Sequence, residues 1–322
     1  MNIIIKTPGF IGDTIMMLPA LQIIKQEYPK AKITVVCKNN CKDIFRGYDI
    51  DKIIIDNTKG SNRLKKALNL IKSIREERYD LGVVFHNTFM DALIFKLSNI
   101  DTIIGYDKEQ RKILLDFWLK IDRSKHYINH YANLINKYLK EKYTLLPPLK
   151  LYAQKQSFVT KKSKPLIGFV LGTHKDTRGY PQKQSLELFS LLKNSAYKII
   201  LLGDCDDKYN NSIYEKQLKE SKIEVKNLTG KTSVGEFIDI INTLDLLVTI
   251  DSSSMHVAAA TNTNFITIIG KSASPFEVVK PKVNFGSYLF RGEMCIKDTD
   301  FIKNIKPQEI VKEIENRLKI DK

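Results

Sequence analysis

The chain reads as an α/β protein of two doubly wound, Rossmann-like domains facing a central cleft. Three observations predict this. Short apolar runs alternate with amphipathic stretches through both halves, and Pro147-Pro148 breaks the pattern between them. Each half also contains a strand-like run that ends in a tight polar turn and opens a helix. In the first half Gly9-Phe10-Ile11-Gly12-Asp13-Thr14 follows Ile3-Ile4-Ile5. In the second, Asp251-Ser252-Ser253-Ser254-Met255-His256 follows Leu246-Leu247-Val248-Thr249-Ile250. Junctions of this kind are where ligands sit in open α/β sheets.

In the first half, strands are expected at 2–6, 33–37, 52–55, 81–85 and 102–104. Helices are expected at 14–28, 61–78, 88–97 and 126–139. Alternation of strand and helix implies a parallel sheet covered on both faces. Residues 153–164 are polar and rich in Lys, Gln and Ser, the composition of a linker. The pattern restarts with strands at 166–170, 198–202, 223–227, 246–250 and 265–269. Helices fit 184–193, 208–220, 234–244, 254–260 and 307–318, the last opening on Pro307, a favoured first helical residue. The domain boundaries are therefore placed at 1–154 and 155–322, with the terminal helix free to pack back on the N-terminal domain.

A chain of 322 residues, 43% of them apolar, exceeds one ordinary core and suits two. Its opening lacks the basic region of a signal peptide, and its apolar stretch breaks at Lys6 and Pro8. No segment approaches membrane-spanning length. Cys37, Cys41, Cys205 and Cys295 form no CxxC pair and stand near no His cluster, which reads as plain thiols in a reducing cytoplasm. The net charge of +16 favours polyanionic partners, whether nucleic acid, anionic headgroups or phosphorylated substrates. An abundance of Lys, Asn and Ile through genome bias explains it equally well.

Gly9 and Gly12 allow unusual backbone angles or close substrate approach. Asp13, by itself, fits a helix N-cap better than a catalytic group. The serine cluster is richer. A helix start with free N–H groups attracts phosphate, and Ser252 and Ser253 can add hydroxyl donors. Capping would explain one serine, not an Asp, three serines and a His together. Thr173 to Pro181 follows the first strand of the second half, where Arg178 could neutralise a departing diphosphate and Lys175 reads as solvated. Asp204-Cys205-Asp206 has the DxD spacing of some metal sites, but Asp49-Ile50-Asp51 and Asp298-Thr299-Asp300 share it, so no metal is expected. Gly270-Lys271-Ser272 lacks the upstream glycine of a P-loop. The 61–78 stretch places Leu64, Ala67, Leu68, Ile71 and Ile74 at helical spacing. Its basic side carries Arg63, Lys65 and Lys66 and reads either as a solvated face or as a rim for a phosphorylated, lipid-linked acceptor. No nucleic-acid module and no GxSxG elbow is present.

Taken together these motifs resemble glycosyltransferase family 9, the heptosyltransferases of lipopolysaccharide core synthesis, over nearly the whole chain. The resemblance rests on Gly12-Asp13 with Leu18-Pro19-Ala20-Leu21, on Tyr79-Asp80-Leu81 followed by His86 to Leu93, and on Ile104-Gly105-Tyr106. It is strongest in Asn227-Leu228-Thr229-Gly230-Lys231-Thr232-Ser233, Asp245-Leu246, and Asp251 to His256 with Ala258-Ala259-Ala260. It implies the GT-B fold and an inverting, metal-independent, cytoplasmic enzyme. Such an enzyme moves heptose from ADP-heptose to a lipopolysaccharide inner-core acceptor, without a cofactor, at the inner face of the membrane. By position, Asp13 matches the general base; Gly12 beside it and the basic Arg63, Lys65 and Lys66 of the 61–78 stretch are the expected acceptor contacts. Arg178 stands where the family has a lysine near the donor phosphates, and Thr173 matches a diphosphate contact. Asp251 matches the acid that holds the donor sugar, and Ser252, Ser253, Ser254 and His256 match the loop around the diphosphate. Thr232 lies near where the base packs. The chain departs from the family at Ser253, commonly Gly, and at Met90, often basic. A transferase with another nucleotide-sugar donor, a non-catalytic nucleotide-sugar-binding protein and a nucleotide-sugar epimerase stay open as alternatives.

Overall fold

A computed structural model describes residues 1–122, 124–154, 164–172, 178–192, 197–270, 275–291 and 300–318. The chain divides into two compact units, residues 1–151 with 277–279, and residues 152–276 with 280–322.

The first unit runs β1 (Asn2–Lys6), α1 (Ile11–Met16), α2 (Leu18–Glu27), β2 (Lys32–Cys37), β3 (Lys52–Ile55), α3 (Arg63–Ile74), β4 (Tyr79–Val84), α4 (Phe89–Lys96), β5 (Ile100–Asp107), β6 (Phe117–Lys120) and α5 (Tyr127–Tyr138). Its strands lie in the order β3-β2-β1-β4-β5-β6, all parallel. Ile3, Ile4 and Ile5 of β1 are fully buried because the strand sits in mid-sheet, with Ile4 between Thr34 and Gly82. Such a strand is covered on both faces, which is why it reads as an unbroken apolar run rather than an alternating one. The second unit runs β7 (Leu166–Val170), α6 (Gln182–Leu191), β8 (Lys198–Leu201), α7 (Lys208–Glu220), β9 (Glu224–Asn227), α8 (Val234–Thr243), β10 (Leu246–Ile250), α9 (Ser253–Ala260), β11 (Phe265–Ile268), β12 (Gly286–Leu289), α10 (Asp300–Lys303) and α11 (Pro307–Leu318). Its order is β12-β11-β10-β7-β8-β9, again all parallel. Ile310 and Ile314 of α11 are buried in this unit's own core with Phe169, Phe189 and Ile302.

The strand order reverses once in each sheet, between β1 and β4 in the first unit and between β7 and β10 in the second. There the chain leaves adjacent strands toward opposite faces and opens a crevice at their carboxyl ends. The expected α/β class and doubly wound order are therefore present in both units.

Two strands escaped the sequence, β6 and β12. Both are four-residue edge strands whose residues are at most half-buried, so their apolar signal is weak. The helix expected over 61–78 is shorter, and its apolar face is corrected. Ala67, Leu70, Ile71 and Ile74, an i, i+3, i+4, i+7 stripe, are the buried residues of α3. Leu64 and Leu68 point outward, 74% and 65% exposed.

Candidate functional site

In the first unit the crevice between β1 and β4 is lined by the turn 7–13 and by the segment 85–88. The backbone of the first turn takes no positive φ at Gly9 or Gly12, so the expected backbone freedom is not what these glycines supply. Gly9 supplies space. A Cβ there would stand 3.0 Å from His86 Nε2 and 3.4 Å from Lys38 Nζ. Its absence lets both side chains close on the turn, and Lys38 donates to the Gly9 carbonyl and lies 5.2 Å from the Phe10 ring centroid.

Asp13 is half-buried in the first turn of α1. It is not the N-cap. Phe10 holds that position, and no side-chain capping bond forms. Among the described residues the Asp13 carboxylate makes no hydrogen bond. Burial pushes its pKa up to about 6, although the charge of His86 pulls the other way. A carboxylate poised near neutral pH and unspent on local structure is suited to accept a proton.

Sequence reasoning missed the network behind it. Lys6, 3% exposed at the end of β1, pairs with Asp56 and stands 3.6 Å from Asp91 Oδ1. Burial works against ionisation of Asp56, yet Lys6 and Thr58 outweigh it and hold the carboxyl down to about 2. Asp91 is also held below its usual range. Burial is again outweighed, here by the His86 hydrogen bond and the Lys6 charge. Arg111 is fully buried. Its guanidinium donates to the carbonyls of Tyr106, His86, Thr88 and Val84 and to Asn87 Oδ1, and so fixes the 84–88 segment. Burial pushes Arg111 down to about 10. A lysine on an apolar strand and an arginine on a short turn carried no spacing signal; only the tertiary fold brings their partners to them.

The expected acceptor residues divide. Gly12 adjoins Asp13, whereas Arg63, Lys65 and Lys66 lie in the first turn of α3, after the edge strand β3. Arg63 and Lys65 are exposed, and Lys66 donates to the Lys59 carbonyl at 2.9 Å. Lys38 was not anticipated. Its ammonium, at the end of β2, is pushed down by burial and then by the like charge of Lys59. Two ammonium groups that repel one another form a surface suited to an anion.

In the second unit the crevice between β7 and β10 brings together Arg178, Asp251, Ser252, Ser253, Ser254 and His256. Arg178 Nη1 donates to the Asp251 carbonyl at 3.3 Å, and among the described residues its buried Nε has no acceptor. Asp251 and His256 are buried, both 5% exposed. Ser252 is the N-cap of α9 but makes no side-chain capping bond. It lies instead 2.6 Å from Ser254 Oγ, and Ser254 also bonds to Thr249. Ser254 is 1% exposed, so its hydroxyl serves the turn itself, while Ser252 and Ser253 stay half-buried at the opening. Thr232 is half-buried in the segment between β9, an edge strand three strands from β10, and α8. Thr173 and Lys175 lie outside the described residues, as do Lys271, Ser272 and Cys295. Asp204 closes a local turn by accepting from the Asp206 N–H at 2.9 Å. Among the described residues no group of three or more His, Cys, Asp or Glu side chains could hold a metal, and no helix is long and apolar enough to cross a membrane.

Comparison with known proteins supplies the context. The family model for glycosyltransferase family 9 (heptosyltransferase) matches residues 67–283. A lipooligosaccharide heptosyltransferase 2 from Haemophilus influenzae is 30% identical over 86% of this chain and 85% of its own. Among solved structures, the Escherichia coli ADP-heptose LPS heptosyltransferase II superposes with a TM-score of 0.85 at 22% identity, covering 99% of this chain and 98% of its own. An Escherichia coli heptosyltransferase solved with ADP-2-deoxy-2-fluoro heptose gives a TM-score of 0.75 at 16% identity over 98% and 99%. The paired Rossmann-like units are the GT-B architecture, and the chain belongs to glycosyltransferase family 9.

Proposed function

We propose that this glycosyltransferase moves a heptose from ADP-heptose onto the inner core of a lipopolysaccharide, with inversion at the anomeric carbon and without a metal. The observation that carries the reading is Asp13: a half-buried carboxylate at the mouth of a sheet crevice, its pKa pushed up to about 6 and its oxygens without a hydrogen bond among the described residues. The first unit binds the acceptor and the second the nucleotide sugar. Asp13 takes the proton of the acceptor hydroxyl as its oxygen attacks the anomeric carbon. The bond from that carbon to the diphosphate breaks, and the nucleoside diphosphate leaves with the electron pair. Arg178, the hydroxyls of Ser252 and Ser253 and the start of α9 take up the departing charge. Asp251 and His256 hold the donor sugar and the phosphate loop, Thr173 adds a diphosphate contact, and Thr232 contacts the base. Lys38 and Lys59 join Arg63, Lys65 and Lys66 in receiving the anionic groups of the acceptor. The lipid-linked acceptor implies peripheral contact with an anionic membrane surface on the cytoplasmic side.

The test uses the full chain. Asp13→Ala should lose roughly 10²–10⁴ in turnover, as for removal of a general base. The same variant should still gain thermal stability from added ADP, more than from UDP or GDP, because ligand that binds only the folded state raises its stability. Near-normal turnover in Asp13→Ala overturns the base assignment. Equal stabilisation by the three nucleotides overturns the choice of donor, and full inhibition by a chelator overturns metal independence.

A further inference from the structure

The transfer chemistry makes no use of His86, a titratable side chain of the first crevice. His86 follows β4, and its Nδ1 lies 2.6 Å from Asp91 Oδ2. Asp91 is fixed in turn by Thr88, whose hydroxyl bonds to the same oxygen and caps α4, and by Lys6 at 3.6 Å. The main-chain carbonyl of His86 accepts from Arg111. Ring and backbone are thus both tied down. An ionised Asp91 can only accept, so Nδ1 of His86 carries the hydrogen and Nε2 is the nitrogen left to take up a proton. Nε2 faces the turn of Gly9, where the missing Cβ leaves it room, and that turn leads directly to Asp13.

We infer that the Asp91–His86 pair is the positioning and charge-setting element of the general base. In its charged form His86 draws Asp13 toward ionisation, against the burial that favours its neutral form. The inference rests on the assignment of Asp13 as the base. Other titratable groups of this unit do not serve this purpose. Cys41, on the 3-10 segment Asn39–Phe45, is pushed up by burial and stays a thiol. Tyr131 of α5 is raised well above the usual phenol range by burial and stays neutral, and His130 is pushed down to about 4 by burial. Lys6 is divided between Asp56 and Asp91, Arg111 is spent on carbonyls, and Lys38 is bound to the Gly9 carbonyl. A substitution that removes the His86 charge leaves burial unopposed, and Asp13 then holds its proton to higher pH.

The experiment is kcat/KM as a function of pH for the full-length protein, its His86→Gln and Asp91→Asn variants, and Asp13→Asn, each first shown folded by thermal unfolding. In the unsubstituted protein activity falls on the acid side near the Asp13 value of about 6. In His86→Gln that acid limb should move up by about one pH unit, the ordinary effect of a near opposite charge, and Asp91→Asn should move it in the same direction. A limb that stays in place in both variants, while Asp13→Asn is inactive, overturns the inference and leaves the base assignment standing. An Asp13→Asn protein that keeps full turnover overturns both. A merely structural role for His86 would lower the plateau without moving the limb. Should one of the two substitutions prevent folding, the limb of the other decides.

Discussion

Asp13 illustrates at the residue scale how a site is bought with stability. Its carboxyl titrates near 3.8 in an open chain and near 6 here, because burial penalises the charged form. The folded state therefore binds this proton more tightly than the unfolded chain does. The associated stability is fully present below about pH 4 and is lost as pH rises through about 6. Above that, the native protein carries a carboxylate it would hold more cheaply neutral. Asp13→Asn should accordingly raise stability by about 1–2 kcal/mol at neutral pH, the half-open position being partly screened by solvent. The gain should vanish at pH 4, which thermal unfolding at the two pH values will show. A destabilised group at a catalytic position is the usual sign of a trade between stability and activity.

At the scale of elements, the α9 start separates hydroxyls that look alike in the sequence. Ser254 is buried between Thr249 and Ser252 and belongs to the turn. Ser253 is half-buried in the first turn of the helix. Ser254→Ala leaves the buried Thr249 hydroxyl short of a hydrogen bond and should cost about 1–3 kcal/mol in unfolding free energy. Ser253→Ala should leave stability within about 0.5 kcal/mol and raise the donor KM. Urea unfolding and donor saturation curves on the two variants distinguish these outcomes. By contrast, Ser233 forms a full capping box with Glu236 at the start of α8, a local device that the spacing alone would have allowed one to find. Gly172 is a close-approach residue of this unit. A Cβ there would fall 1.7 Å from Asp207 Oδ1, so the backbone can pass Asp207 only in its absence.

For the whole molecule, the net charge of +16 is spread over a surface on which α3 shows Leu64 and Leu68 outward among Arg63, Lys65 and Lys72. Exposed leucines flanked by cations favour an anionic bilayer. Co-sedimentation with vesicles containing phosphatidylglycerol should be strong at low salt and fall steeply as ionic strength approaches about 0.5 M, where the screening length shrinks to a few ångströms. Binding that is unchanged across that range, or equal on neutral vesicles, would show that the charge has no part in it. Leu64→Glu with Leu68→Glu should weaken vesicle binding, since neither side chain is needed in the core.

The sequence by itself determined the class of fold, because apolar runs such as Ile3–Ile5 and Leu246–Val248, alternating with amphipathic helices, are the pattern of strands buried in the middle of covered parallel sheets. It also pointed to the two turns at the strand ends, since those runs stop abruptly at polar residues. Edge strands β6 and β12 and the outward face of α3 were beyond it, for half-buried residues leave no clear period. What only the tertiary structure decided is the state of the charges. Lys6, Asp56, Asp91 and Arg111 lie far apart along the chain, and each is acceptable inside the protein only because the fold brings it a partner. Local spacing governs backbone shape, but the free energy of a buried charge depends on its neighbours in space.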